Sequence, residues 1–246
     1  MSASLCFITP VWQRYELTEI VLKSRKRVCD ELRTHGIDAT SVVIGNDSNI
    51  DIALACGFAV VERDNEFLSR KFNDGYEYAF SAGFDYCYPV GSDSILTADQ
   101  FIHNLNSSEP IASHYYSMIH SSGVERIDVE IKVPGGIGPL IIPVPMLAKF
   151  PRPIKEDMRR GCDNAARQTI LSAGILILTR EEHQWEHVAF QSGVTQITDY
   201  ERIRRVYNAD VVDITCGVFP EIEALYDQST IEGINDYYRS GRASDA

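Results

Sequence analysis

Asp93 is the residue whose position most clearly suggests chemistry. It lies directly after a predicted strand, in the short polar stretch Gly91-Ser92-Asp93-Ser94. A carboxylate at such a point can hold a hard divalent cation, and that cation can bridge the phosphates of a ligand. A carboxylate there can equally cap a turn or a helix, and the spacing alone favours neither interpretation.

Other polar residues also follow predicted strands. Thr9 and Pro10 close the first strand. Asp47 follows the second strand and Asp64 follows the third. Asp47 is suited to binding a base or a sugar, but it is equally suited to forming an Asx-turn.

The spacing of apolar residues predicts the elements that position these side chains. Short apolar or β-branched runs predict strands at residues 5–9, 40–44, 58–61 and 86–90. Periodicity of the helical type predicts helices over 16–34 and 68–80, and a capping box at 97–100 predicts another. This alternation indicates a parallel sheet, in which ligands bind beyond the carboxyl ends of the strands. We therefore expect the polar residues at these ends to lie close together.

The second half of the chain has a different pattern. Strands are predicted at 111–119 and 126–133, joined as a hairpin, and later at 175–178 and 211–214. Helices are predicted from Gly161 through Leu171, with Asp163 or Asn164 as the cap, and over 181–190 and 199–207.

Composition restricts the class of protein. The chain has 246 residues, 44% of them hydrophobic, and a net charge of −12. This length suits one α/β domain, and no apolar run reaches the roughly 18 residues that a membrane span needs. The negative charge opposes general binding to nucleic acid or anionic lipid.

Cysteine usage and the N-terminus indicate a compartment. The six cysteines include no CxxC pair and no zinc-like spacing, so we expect reduced, buried thiols. No basic segment precedes the first apolar run, so no signal peptide is predicted. We therefore expect a cytoplasmic protein.

Several common catalytic motifs are missing from the sequence. It contains no GxGxxG after the first strand, no GxxxxGK[ST], no GxSxG and no HExxH. His183 and His187 are four residues apart, a spacing that can bind metal from one helix face. No third ligand is evident, so a solvated helix face is the simpler interpretation.

Four stretches resemble GT-A-fold glycosyltransferases of the family 2 type, in both order and spacing. Residues 7–14 are similar to the opening strand and its arginine, and residues 42–48 to the second strand. Residues 71–94 resemble the unit that leads to the DxD motif of this family, and residues 140–164 resemble its acceptor-side segment.

The resemblance implies an α/β, GT-A-like (Rossmann-like) fold. Its mostly parallel sheet would be flanked by helices, with an elaborated acceptor-side half near the C-terminus. We expect a single domain over 1–246, with a nucleotide-sugar-binding half (1–105), an acceptor-side half (106–180) and a C-terminal helical extension (181–246). The extension would cover the acceptor site or form a homodimer contact.

The resemblance also implies an activity. The chain would transfer a sugar from a UDP- or GDP-type donor to the hydroxyl of an unidentified acceptor, with inversion and without processivity, since no QxxRW motif follows. Asp93 would hold Mn²⁺ or Mg²⁺, although Gly91 replaces the first aspartate of DxD. Asp163 would be the catalytic base, with Asp157 and Glu156 as alternatives. The implied donor-binding residues are Thr9, Pro10, Arg14, Asp47, Asp64, Lys71, Asn73, Ser92 and Asp93.

Two other functions remain open at this point. The incomplete DxD motif is compatible with a catalytically inactive sugar- or nucleotide-binding module. A sugar nucleotidyltransferase has a similar domain, but residues 9–14 lack the glycine-rich loop typical of that class.

Overall fold

The structure is a computed structural model of the 246-residue chain. It describes residues 2–113, 115–120, 123–128, 137–159, 161–180, 187–190 and 209–211.

Strands and helices alternate through the first half of the chain, and strands dominate the described part of the second. The strands are β1 (Ser4–Pro10), β2 (Asp38–Gly45), β3 (Ala59–Glu62), β4 (Tyr86–Pro89), β5 (Ser94–Leu96), β6 (Ile111–Ser113), β7 (Tyr115–His120), β8 (Gly123–Asp128), β9 (Ile137–Pro143), β10 (Leu178–Arg180), β11 (His187–Phe190) and β12 (Ala209–Val211). The helices are α1 (Tyr15–Thr34), α2 (Asn49–Ala55), α3 (Leu68–Ser81), α4 (Asp99–Ile102) and α5 (Cys162–Ser172), with a 3₁₀ helix at Val144–Ala148.

A seven-stranded sheet forms the centre, in the order β10-β6-β9-β4-β1-β2-β3. The β1 strand pairs in parallel with β2 and β4, as do β2 with β3 and β6 with β10. The β9 strand runs antiparallel to both β4 and β6. The sheet is therefore mostly parallel and flanked by helices, which confirms the predicted α/β fold class.

Both faces of β1 are covered, as expected for the central strand of a parallel sheet. Leu5 and Phe7 pack in the core layer that contains residues of α1, whereas Cys6 and Ile8 pack in the layer of α3 and α5. Alternate side chains of a strand point to opposite faces, and so one strand contributes to both layers.

The helix α3 lies unusually close to this strand. A Cβ at Gly75 would come within 2.1 Å of Ile8 Cγ2 and 3.2 Å of Ile44 Cδ1. Only a residue without a side chain fits between α3 and the sheet at this point.

A second sheet has five strands, in the order β12-β8-β7-β11-β5. Its β7 and β8 strands form the predicted antiparallel hairpin. The predicted strand 111–119 is divided, because β6 belongs to the central sheet and β7 to the second sheet. The β11 strand pairs with β7 in parallel and with β5 in the antiparallel direction.

Several local predictions are wrong. Residues 187–190 form β11 rather than a helix, because pairing with strands on both sides outweighs the local pattern. His187 therefore lies in a strand rather than in the predicted helix, whereas His183 lies outside the described residues. The predicted helical extension is corrected at residues 187–190. The short helix α2 is not predicted by the sequence, whose turn-forming residues conceal it.

Helix starts also differ from the predictions. Gly161, with φ of 67°, is the residue at the N-cap of α5, so neither Asp163 nor Asn164 caps this helix. Ala98 precedes α4 without a side-chain cap, so the capping box at 97–100 does not form. The strand predicted at 175–178 lies at Leu178–Arg180.

The remaining predicted elements, at residues 129–133, 181–186, 199–207 and 212–214, lie outside the described residues. None of the helices in the described ranges has the length and apolarity that crossing a membrane requires.

Candidate functional site

The turn after β1 carries the chain across to the loop after β2. Gln13 and Arg14 have φ of 50° and 51°, in the left-handed region that residues other than glycine rarely adopt. The Gln13 N–H donates to Asp47 Oδ2 at 2.7 Å, and the Gln13 carbonyl accepts from Asn49 Nδ2 at 3.0 Å. These hydrogen bonds hold a backbone conformation that costs on the order of 1–3 kcal/mol per residue.

The same turn directs the Arg14 side chain to the loop after β4. Arg14 Nη2 donates to Ser92 Oγ at 2.9 Å, and Nη1 lies 3.3 Å from Asp93 Oδ2. The ion pair is partly open, with side-chain exposures of 22% for Arg14 and 19% for Asp93. We refer to Gln13, Arg14, Asp47, Ser92 and Asp93 as the strand-end cluster. It joins the ends of β1, β2 and β4.

The carboxylate of Asp93 lies close to Gly91. A Cβ at position 91 would be 2.5 Å from Asp93 Oδ1, so a side chain there would require the Asp93 carboxylate to move. Ser94 Oγ donates to the same oxygen at 3.3 Å. Arg14 and Ser94 therefore contact different oxygens of Asp93.

This arrangement does not fit the predicted metal site. Position 91 supplies no carboxylate, and Asp93 already pairs with the Arg14 guanidinium. Within the described ranges, no three Asp, Glu, His or Cys side chains come together as a group that could hold an ion. Metal binding at Asp93 stays a prediction that these residues do not favour.

Lys71 approaches the turn after β1 from α3. Its Nζ donates to the Val11 carbonyl at 2.7 Å and to Asn65 Oδ1 at 2.9 Å, and it lies 5.6 Å from the centre of the Trp12 ring. Burial lowers the pKa of Lys71 to about 8, and the Asp47 and Asp64 carboxylates offset part of this effect. The side chain therefore brings a cation to this edge of the sheet, and the cation loses its proton near pH 8.

The remaining contacts of the donor-binding candidates are hydrogen bonds within the loops and between β1 and β2. Asp47 Oδ1 accepts from the Asn49 backbone N–H at 3.1 Å, which is the Asx-turn left open by the sequence. Asp64 accepts the Glu66 N–H at 3.3 Å. Thr9 is buried with its hydroxyl 3.4 Å from Ser41 Oγ, and Pro10 ends β1.

A second polar region joins α3 to residues 152–156, in the segment predicted to lie on the acceptor side. Asn73 accepts the Ile154 N–H at 3.1 Å and donates to the Ile154 carbonyl at 2.7 Å. It also donates to Glu156 Oε1 at 3.1 Å, so both amide hydrogens are used. Asn73 therefore holds residues 154–156 against α3, and donor binding by this residue stays a prediction.

Ionic contacts extend this second region. The nearly buried carboxylate of Asp74 pairs with Arg63 on one oxygen and with Arg152 on the other. Arg152 also pairs with Glu156. We refer to Arg63, Asn73, Asp74, Arg152 and Glu156 as the acceptor-side clamp.

The three predicted bases have different surroundings. Hydrogen bonding and charge from Arg152 lower the pKa of Glu156. Asp157 is exposed and lies 3.6 Å from Lys155. Asp163 is exposed in the first turn of α5, and no hydrogen bond or ion pair with the described residues engages its carboxylate.

Sequence reasoning missed Gln13 of the strand-end cluster and several residues that contact the cluster or lie beside it. Nothing in the pattern marks Gln13 as left-handed, because it is neither glycine nor asparagine. Asn49 was visible only as part of a turn-rich stretch, and Asn65 only as a polar neighbour of Asp64. Gly91 was recognised as a departure from DxD, but its close contact with Asp93 depends on the fold.

Comparisons with known proteins bear on the fold. No family model and no curated protein matches this chain. Among solved structures, TarS from S. aureus matches with a TM-score of 0.52 and 15% identity, over 78% of this chain and 37% of TarS. The chain thus spans little more than a third of that protein.

Two further structures have TM-scores below 0.5. Drosophila β1,4-galactosyltransferase 7, in complex with manganese, UDP-Gal and xylobiose, gives 0.46 at 13% identity, over 74% of this chain and 66% of that one. CMP:2-keto-3-deoxy-manno-octonic acid synthetase with CTP gives 0.48 at 12% identity, over 93% and 99%.

The likeness to TarS, at 15% identity, concerns the fold. This likeness agrees with the mostly parallel central sheet of this chain. The chain has a GT-A-like fold.

Proposed function

We propose that this protein transfers a sugar from a nucleoside diphosphate donor to an acceptor hydroxyl. The observation that carries the proposal is the strand-end cluster, in which Arg14 is held at the ends of β1 and β4 on a GT-A-like sheet. Ligands of open α/β sheets bind at this edge. Arg14 and the nearby Lys71 supply the positive charge that a diphosphate requires.

The reaction needs a base on the acceptor side, and we propose Asp163. Its carboxylate would take the proton of the acceptor hydroxyl while the acceptor oxygen bonds to the anomeric carbon. The bond from that carbon to the diphosphate oxygen breaks, and its electron pair leaves with the nucleoside diphosphate. A single displacement of this kind inverts the anomeric centre.

Asp163 is favoured over the other candidates by its surroundings. Glu156 is stabilised as an anion by Arg152, and this weakens it as a base. Asp157 lies beside Lys155 and shares its exposed loop. Asp163 begins a helix that Cys162 anchors in the core, so its backbone is well fixed.

We also propose a separate role for each of three parts of the chain. Residues 1–105 would bind the donor, residues 106–180 would bind the acceptor, and residues 181–246 would complete the acceptor side or a homodimer contact. The acceptor is not specified.

The test begins with ligand binding. UDP, GDP, CDP and their sugars are screened by thermal shift, where a ligand at 100 times its Kd adds about 2.7 kcal/mol. Transfer from the donor that binds is then measured with a panel of acceptors by mass spectrometry. Asp163→Asn should lower kcat by about 10²- to 10⁴-fold with little change in donor affinity.

Asp157→Asn tests the alternative base, since it removes an exposed carboxylate from the preceding loop. If Asp163→Asn retains full kcat, the base assignment is wrong. If the protein instead joins a nucleoside triphosphate to a sugar phosphate and releases pyrophosphate, it is a nucleotidyltransferase. Donor binding without turnover across the panel would support the inactive binding module.

A further inference from the structure

The guanidinium of Arg14 lies beside the carboxylate to which the sequence assigned a metal ion. Its two terminal nitrogens contact Ser92 Oγ at 2.9 Å and Asp93 Oδ2 at 3.3 Å. A guanidinium and a divalent cation both neutralise negative charge, but they cannot occupy the same side of one carboxylate together.

The position of Arg14 is built by the backbone. Two consecutive left-handed residues, Gln13 and Arg14, turn the chain sharply before α1 begins. Asp47 and Asn49 hold this turn through the N–H and the carbonyl of Gln13. Strain that surrounding contacts maintain in this way is concentrated at functional sites.

Asp93 has the contacts of a positioning residue. One oxygen faces Arg14 and the other accepts from Ser94 while lying against Gly91. A side chain at position 91 would displace the Asp93 carboxylate from this position. The local sequence therefore suits a carboxylate that orients a cationic side chain.

Arg14 retains hydrogen-bonding capacity for a ligand. A guanidinium has five N–H donors in a planar fork, and the two contacts use one donor on each terminal nitrogen. The same planar arrangement of donors matches the oxygens of a phosphate group. The Arg14–Asp93 pair is open to a ligand because both side chains are partly exposed.

We propose that Arg14, oriented by Asp93, neutralises the donor diphosphate in place of a divalent cation. This inference rests on the proposed function, since it concerns the same donor site. Arg14 would contact the diphosphate oxygens directly. Asp93 would act through Arg14.

The first measurement is the affinity of the intact protein for UDP and GDP by calorimetry, with EDTA, with Mg²⁺ and with Mn²⁺. The Kd of the nucleotide that binds should agree within about twofold in the three conditions, because the charge comes from the chain. Binding of Mn²⁺ itself is followed by loss of the free-ion EPR signal. We expect the protein with saturating nucleotide to remove no more Mn²⁺ than the nucleotide alone.

Variants separate the two roles. Arg14→Gln should weaken nucleotide binding by about 10- to 100-fold, the effect of losing a charge-assisted hydrogen bond, and Mn²⁺ should not restore it. Arg14→Lys should recover part of the affinity. Asp93→Asn should weaken binding several-fold, equally with EDTA and with Mn²⁺.

Arg27→Gln is the matched control, because it removes a partly exposed arginine from α1, the helix that follows Arg14. Circular dichroism and melting temperature confirm that each variant is folded. If Arg14→Gln does not fold, Arg14→Lys together with the EDTA comparison still tests the inference.

Other outcomes would overturn the inference. Nucleotide binding that requires Mn²⁺ and loses this requirement in Asp93→Asn would make Asp93 a metal ligand, while the proposed function would stand. Equal affinity of Arg14→Gln and the unmodified protein would exclude Arg14 from the site. Failure of every nucleotide to bind, with or without metal, would overturn the proposed function as well.

Discussion

The strand-end cluster and the acceptor-side clamp are both rich in charge, yet they are built differently. In the clamp, Asp74 and Glu156 face arginines, and the Asn73 amide is matched to the Ile154 backbone. In the strand-end cluster, the partly exposed Arg14 pairs with the Asp93 carboxylate, and the backbone at Gln13 and Arg14 is strained.

The difference shows how a polar region that stabilises the fold can be distinguished from one suited to a ligand. Polar groups that are already paired, on a relaxed backbone, lower the free energy of the folded chain. They have few hydrogen-bonding positions left for a ligand. A strained backbone that presents a cation with unused donors contributes less to stability. Charge alone would not have separated the two regions, since both contain aspartate and arginine.

The largest effect should follow from removing the central carboxylate of the clamp. Asp74→Ala leaves Arg63 and Arg152 without this partner, and we expect it to lower the free energy of unfolding by about 3 kcal/mol. Urea denaturation measures the loss. Asp30→Ala, an exposed carboxylate paired with Lys26, is the control and should cost below about 1 kcal/mol.

The same variant tests whether the acceptor-side clamp is separate from the nucleotide-binding site. Nucleotide affinity of Asp74→Ala should stay within about twofold at temperatures where the variant is folded. A variant of full stability and weakened nucleotide binding would mean that the clamp belongs to the binding site.

The contact between α3 and the sheet beneath both regions should be nearly as sensitive. Gly75→Ala gains about 1 kcal/mol of helix propensity, but its Cβ would overlap Ile8 Cγ2. Overpacking should dominate, with a net loss of about 2 kcal/mol in unfolding experiments.

A double variant isolates the cause of this loss. Ile8→Ala removes the Cγ2 atom that Gly75→Ala would strike. The combined change should therefore destabilise the protein less than the sum of the two single changes. Simple additivity would show that the crowding has another origin.

A pH effect of intermediate size concerns Lys71, which supports the turn of the strand-end cluster. Its pKa is about 8 in the folded protein, below the value of 10.5 for an ordinary lysine. Between these values the unfolded chain binds more protons, so the contribution of Lys71 to stability rises with pH.

We compare the unmodified protein with Lys71→Met by denaturant unfolding at pH 8 and pH 9. The stability difference should shift in favour of the unmodified protein by about 1 kcal/mol over this interval. The variant is needed because burial raises the pKa of the Cys6 and Cys29 thiols to about 12 in each. Above pH 9 these two thiols make the folded protein less stable as the pH rises, which opposes the effect of Lys71. A constant difference would contradict the lowered pKa.

The smallest effect should come from relieving strain without touching a side-chain contact. Gln13 contributes its backbone N–H and carbonyl to the turn, and glycine would keep both. Because φ is 50° there, Gln13→Gly should stabilise the protein by about 0.5 kcal/mol, after the entropy of glycine is counted. Nucleotide affinity should be retained. A loss of more than about 1 kcal/mol would mean that the Gln13 side chain matters.

Much of the sheet could be predicted because its strands are buried on both faces and therefore read as continuous apolar runs. This holds for β1, β2 and β4. The helices α1 and α3 could be predicted from the helical spacing of their apolar residues. The helix α2 was missed because seven residues are too few for a period to emerge. Residues 187–190 were assigned wrongly because their state depends on neighbours from distant parts of the chain.

The site could be predicted in location but not in detail. Asp47, Asp64 and Asp93 follow predicted strands, so their shared edge follows from the rules of parallel sheets. The contact between Arg14 and Asp93 does not, since it depends on a left-handed turn at residues with no preference for one. The engagement of Asn73 by Ile154 depends equally on packing between distant segments.

The pairing of β5 with β11 has a consequence for how such a protein can be recombined. Ser94, the neighbour of Asp93, lies in a strand whose sheet partner comes from residues 187–190. A chimaera that exchanges everything after residue 105 would replace this partner, and the edge of β5 would need a new strand of the same register. Residues 1–105 are thus not a portable module, and an exchange of the second half should preserve His187–Phe190 or carry Ser94–Leu96 with it.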